Sequence, residues 1–258
     1  MAHRKDLRPF PTEIWLNVLQ FATYCPRHPL LPVDSPSDWD SLYNRHKDFW
    51  QEARYHVHHL TSAQKIRYNL MRVCKTWYNV LVKEMYTSLA FDETWRIDAA
   101  EDTFATSSHL SPYAKYILVD LGVETVLWDI TPDLPPYRSR ITGPNRKESD
   151  RLMGILSTCP NIELFVVFGA WIFPWCLTKV PSLSPTLTTF CYNTCMDISI
   201  PDLNNFLLSF PSLVNLYCYS NKNHLLSGDD PPPPIRLEHL RVLVLTGFTR
   251  EQHRKLRG

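Results

Sequence analysis

Glycine is scarce, with seven in 258 residues, and the seven are scattered. Loops that cradle phosphate need glycines clustered, so a nucleotide-binding loop of that kind is excluded. The chain also has no GxSxG, HExxH, phosphate-loop or dinucleotide fingerprint, which leaves the familiar catalytic motifs unrepresented. Asp129, Asp133 and Asp150 are isolated carboxylates without a partner for acid/base work. No charge of one sign dominates: 27 Lys and Arg face 26 Asp and Glu, so neither nucleic acid nor an anionic membrane is favoured. The start, Met1 to Pro9, has no apolar run of the secretory kind. No stretch approaches the roughly 18 apolar residues of a membrane helix. The longest apolar patch, Leu164 to Trp175, is broken by Gly169 and Pro174. Cys25, Cys74, Cys159, Cys176, Cys191, Cys195 and Cys218 are odd in number and lack a CxxC pair, the pattern of reduced thiols. The sequence reads as soluble, cytoplasmic or nuclear, and non-catalytic, with no cofactor or metal.

What is present is apolar residue in quantity, 44% of the chain, enough to build a core. The first ninety residues have helical texture. Glu13 to Ala22 contains good helix formers behind Pro11, and Glu13 lies in the first turn, where the helix dipole favours an anion. Ile14, Trp15, Leu16, Val18, Leu19, Phe21 and Ala22 nearly encircle that helix. Such an arc suits either burial in its own domain or one face turned inward and another offered to a partner. Pro26, Pro29, Pro32 and Pro36 enforce a loop, and helical character returns at about Asp38. Thr61 with Gln64 three residues later predicts the start of a further helix through a capping box. In that helix Leu70, Val73, Cys74, Trp77 and Leu81 fall on one apolar face.

From about residue 110 short apolar runs alternate with turns rich in Ser, Pro and Asn. A pattern LxxLxL begins at Ile162, Leu187, Leu213 and Leu240, a spacing of about 26 residues within the range of leucine-rich repeats. A fainter copy is Ala114-x-x-Ile117-x-Val119, separated from the next by the Pro-rich segment Thr131 to Pro144. Leu152 to Ile162 matches Leu203 to Leu213 in character at each position: an apolar helix-like piece, a proline, then a strand. Each unit is expected to lay one parallel strand beside the last, because a single unit cannot bury its apolar side. Polar positions within or beside the pattern, Glu163, Thr188, Asn215 and Arg241, are the candidate substrate-binding residues on the open side.

The two ends of the helical segment resemble an F-box. Phe10-Pro11-Thr12-Glu13-Ile14 looks like the family's start, Val73-Cys74-Lys75-Thr76-Trp77 matches its Val-Cys-x-x-Trp signature, and Met85 to Leu89 resembles the trailing segment. The resemblance implies docking on a Skp-type adaptor within a cullin-based SCF ubiquitin ligase, with the repeats binding a protein substrate. Phe10, Pro11, Ile14, Val18 and Leu19 are then adaptor-facing, joined by Val73, Cys74 and Trp77, although the spacing of these three equally suits the module's own core. The distance from Pro11 to Trp77 exceeds a compact F-box, so an insertion is placed at about residues 25–64. The expected organisation is α+β, or α/β by repeats: a helical F-box-like module with inserted helices over 7–92, then a short, irregular leucine-rich-repeat arc over 105–258. The alternative function is a non-catalytic repeat scaffold whose N-terminal helices cap the solenoid. His56 and His59 stand at helical spacing, but no Cys or carboxylate joins them at ligand spacing, so a solvated face is expected. Cys191 and Cys195 are expected to pack beneath a repeat. Thr249 to Gly258 is too short for a full covering unit, so the reading expects a minimal cap or a truncated repeat region, with low order beyond residue 248.

Overall fold

The computed structural model describes Ile14, Asn17 and residues 39–121, 146–168, 174–194, 200–220 and 239–246, with side chains throughout most of them. It is a mixed helix and strand structure organised around one six-stranded sheet.

Trp39–Met71 forms a single helix, α1, of 33 residues. No glycine or proline occurs within it, so nothing in the sequence interrupts the hydrogen-bonded column. The helix start expected at Thr61 is therefore absent. Thr61 Oγ1 instead donates to the carbonyl of Val57 at 2.6 Å, the back-bond a threonine makes inside a helix. Gln64 donates to the Ser88 carbonyl at 2.7 Å rather than closing a cap. The column ends at Met71 through short turns, Arg72 N–H to Asn69 and Val73 N–H to Leu70. Lys75–Thr87, α2, then runs back along α1, with Cys74 in extended conformation at its start.

The sheet begins at Ser88–Phe91 (β1) and continues through Tyr116–Asp120 (β2), Leu164–Phe168 (β3), Thr189–Thr194 (β4), Asn215–Ser220 (β5) and Val242–Thr246 (β6). Every neighbouring pair is parallel, and the spatial order is the chain order. Between strands lie Thr94–Thr106 (α3), Arg146–Thr158 (α4), the single turn Pro174–Leu177 (α5) and Ile200–Ser209 (α6), with 3₁₀ turns at Ser108–Tyr113 and Pro181–Leu183. β1 lies within the range 7–92 expected to be a helical module, so the sheet starts earlier than residue 105.

The register aligns the sequence pattern. Leu89, Ile117, Phe165, Phe190, Leu216 and Leu243 form one row across the six strands. Phe91, Val119, Val167, Tyr192, Cys218 and Leu245 form the next row on the same face. Side chains alternate along a strand, so from β1 to β5 both rows point to the layer containing α3, α4 and α6. There they meet Ile97, Phe104, Leu152, Ile155, Leu156, Phe206 and Leu207 in one buried cluster. Phe190 sits at its centre, with ring centroids of Phe165 at 5.7 Å, Tyr192 at 5.8 Å and Phe206 at 5.0 Å. Burial of each such side chain contributes roughly 1.5–3 kcal/mol. Leu243 in the last strand is 41% exposed, unlike the buried members of its row.

The matched segments at 152–162 and 203–213 have matched structures. Leu152, Ile155, Leu156, Cys159 and Ile162 are buried, and so are their counterparts Leu203, Phe206, Leu207, Phe210 and Leu213. In each, a helix ends, Pro160 or Pro211 turns the chain, and a strand follows.

Candidate functional site

Two surfaces contain the residues that the sequence singles out. The first is the break between α1 and α2. Val73 is 62% exposed and Cys74 is exposed, while Trp77 one turn later is half-buried. Leu81 is buried and Leu70 half-buried, so the stripe expected from Leu70 to Leu81 is divided by the break. The break turns Val73 and Cys74 outward and leaves the buried end of the pattern to α2. Arg72 lies over the Tyr68 ring, 5.7 Å from its centroid, on the same corner. Ile14 is helical and 46% exposed, with Asn17 exposed beside it in sequence. Phe10, Pro11, Val18 and Leu19 lie outside the described residues.

The second surface is the line where the strands begin. Glu163 N–H and Leu164 N–H both donate to the Lys115 carbonyl, at 2.8 and 3.1 Å. Thr188 and Thr189 repeat this on Glu163, Val214 and Asn215 on Thr188, and Arg241 and Val242 on Val214. The main chain thus places Lys115, Glu163, Thr188, Val214 and Arg241 in one line across the sheet. Their side chains serve different ends. Lys115 Nζ bonds Glu163 Oε1 at 2.5 Å, and that carboxylate holds the ammonium above its ordinary pKa. Thr188 Oγ1 donates to the Glu163 carbonyl at 3.0 Å. Arg241 is exposed.

Asn215, expected on the open side, is buried at 7% exposure. Its Nδ2 donates to Thr189 Oγ1 at 3.0 Å, tying β5 to β4, while Oδ1 has no hydrogen-bond partner. A polar residue in a strand pattern suggests exposure, but here a hydroxyl on the neighbouring strand satisfies its donor. Of the four substrate candidates, Glu163, Thr188 and Arg241 stand on this line and Asn215 lies one residue inside it.

A third constellation has no signature in the local sequence pattern. Arg54 of α1 reaches Asp120 at the end of β2, Nε to Oδ2 3.4 Å, and its guanidinium lies 5.4 Å from the centroid of the Phe168 ring. Asp120 and Phe168 are register partners on adjacent strands. Their meeting with Arg54 depends on how α1 crosses the sheet, which no local spacing encodes. Another overlooked signal was readable: Tyr86-x-x-Leu89-x-Phe91 has the repeat pattern, masked by the F-box reading of Met85 to Leu89.

Among the described residues no group of three or more His, Cys, Asp or Glu is arranged to hold a metal ion. His58 and His59 are exposed, and the Tyr55 ring packs on His59 at 4.1 Å. Cys191 is fully buried with its thiol pushed well above the ordinary value by desolvation. Cys195 is outside the described residues. No helix among them is long and apolar enough to cross a membrane.

The fold defines a mixed helix and strand protein with a six-stranded parallel sheet in chain order. No family model, curated protein or solved structure matches the chain.

Proposed function

We propose that this chain is a substrate-recognition subunit of an SCF-type ubiquitin ligase. Its N-terminal helical part is read as an F-box that docks on a Skp-type adaptor, and the parallel sheet as a short, irregular leucine-rich-repeat arc that binds a protein substrate. The observation that carries this reading is the exposure of Val73 and Cys74, the signature residues, at a helix break immediately before a sheet of aligned LxxLxL rows. Exposed Ile14 adds an apolar side chain from the other end of the motif. A function of this kind works by binding, needs no cofactor, and acts in the cytoplasm or nucleus. The test is co-purification with a Skp-type adaptor and cullin, using wild type, Ile14→Asp and Val73→Asp. Retention by wild type and at least tenfold loss in either variant is expected; absence of wild-type binding rejects the reading.

The burial of β1 against α1 and α2 favours a second reading, a non-catalytic scaffold whose helices cap the sheet. Leu81, Val57 and Leu60 are buried there, as capping of a repeat array requires. On this reading the adaptor does not bind, and removing residues 1–87 exposes β1 and unfolds the sheet.

A further inference from the structure

Charge is balanced over the whole chain but not along it. Between Glu52 and Glu84 there is no Asp or Glu, while Arg54, Lys65, Arg67, Arg72, Lys75 and Lys83 supply six cations. Acids then resume: Glu84, Asp92, Glu93, Asp98, Glu101 and Asp102 follow, with Arg96 the one Lys or Arg among them. The basic excess is thus confined to the hairpin that α1 forms with α2.

The fold turns this run outward. Lys65, Tyr68 and Arg72 stand three and four residues apart along the end of α1 and its break, and all three are exposed. Lys75, Asn79 and Lys83 stand four apart on α2 and are exposed as well. The two rows meet at their aromatic members. Arg72 lies over the Tyr68 ring, and the Tyr86 hydroxyl of α2 is pushed up by burial and then by the phenols of Tyr78 and Tyr68, which stand near it. Tyr68 is 54% exposed and Tyr78 44%.

These cations also lack counter-charges. Arg54, Arg96, Lys115 and Arg151 each meet a carboxylate, whereas Lys65, Arg72, Lys75 and Lys83 meet none among the described residues. Like charges gathered on one hairpin repel each other, and an anionic partner relieves that repulsion. From Lys75 to Lys83 α2 rises ~12 Å, the reach of about four residues of extended chain. Glu84 on α2 itself and the acids of α3 end the basic run, so the patch suits a short acidic stretch better than a continuous polyanion.

We propose that the outer surface of the α1–α2 corner docks a short acidic segment of a protein partner, with its carboxylates on Lys65, Arg72, Lys75 and Lys83 and its apolar side chains on Tyr68 and Tyr78. The proposal rests on neither reading of the function, since the adaptor reading uses the apolar signature and not these cations.

Fluorescence anisotropy of the full chain with a labelled peptide of glutamates around one leucine tests this. The glutamine version of the peptide and an oligodeoxythymidylate of the same length are the comparison probes. The wild-type chain should hold the glutamate peptide at least about tenfold tighter than the glutamine one, and added salt should weaken it. Arg72→Glu and Lys75→Glu should each weaken it about tenfold, whereas Lys179→Glu, which alters an exposed lysine elsewhere, should leave it unchanged. The peptide comparison and the salt dependence need no variant, so they decide the matter even if a charge reversal impairs folding. No binding by the wild type, equal affinity for the two peptides, or the same loss in Lys179→Glu overturns the proposal. Tighter binding of the oligonucleotide overturns it too, and assigns the corner to nucleic acid.

Discussion

The two faces of the sheet come from the same six strands, yet they are covered on different principles. One face is sealed by helices that lie between the strands in the chain, so the apolar rows find their cover close in sequence. The other is covered by α1, which arrives from outside the repeating part and brings Thr61, Gln64 and Arg67 as buried polar residues. A core grown unit by unit is apolar and dense, because each helix was spaced to fit its strand. A cover supplied from elsewhere has a mixed seam, closer to an interface between domains than to an interior.

The largest effect should come from the sealed face. Phe190→Ala removes the ring at the centre of the Phe165, Tyr192 and Phe206 cluster and should destabilise the fold by roughly 3–5 kcal/mol in chemical denaturation. Leu60→Ala on the face covered by α1 should cost about 2 kcal/mol, the low end for such a truncation, and should show mainly as faster exchange in α1. Equal and global effects from both variants would erase the distinction between the faces.

Alkaline pH probes the sealed face by another route. Burial pushes the Cys159 thiol up to about 11 and the Cys218 thiol to about 12. The folded state therefore favours the neutral thiols. The stability this contributes is fully present below the ordinary thiol value, about 8.5, and is lost as pH rises toward 11–12. Denaturation midpoints should be flat from pH 6 to 8 and fall above about pH 9. Cys159→Ala should remove roughly 2 kcal/mol of that fall at pH 10. A flat profile to pH 11 would mean that these thiols are not sealed.

Asn215→Ala should have a smaller effect, under about 1 kcal/mol, because it deletes one hydrogen bond together with an unsatisfied Oδ1. A loss beyond about 2 kcal/mol would show that Asn215 does more than staple β4 to β5. Val73→Asp should alter stability least, within about 0.5 kcal/mol, since its side chain is largely in water.

The repeating part was legible because its information is local. The spacing of Ile162, Leu187, Leu213 and Leu240 foretold the parallel strands, and even the faint copy at Ala114 marks β2. The paired segments ending at Ile162 and Leu213 foretold matching helix, turn and strand. β1 was obscured because Met85 to Leu89 also fits another pattern, and a short string cannot say which of two partners its leucine meets. The capping signal at Thr61 misled because the hydroxyl has a mid-helix alternative on Val57. Arg54 and Asp120 are 66 positions apart in the chain, and their pairing follows from a helix crossing a sheet, which no window of sequence contains. Of the candidate site, the outward position of Val73 and Cys74 depended on a helix break that apolar periodicity alone ran straight through.

At the starts of β3, β4, β5 and β6 one carbonyl accepts two successive N–H groups from the strand that follows, and at β4 the Thr188 hydroxyl joins them on Glu163. The join between these strands is thus written mainly in the main chain, so side-chain replacement along the line can vary its chemistry while the register is kept.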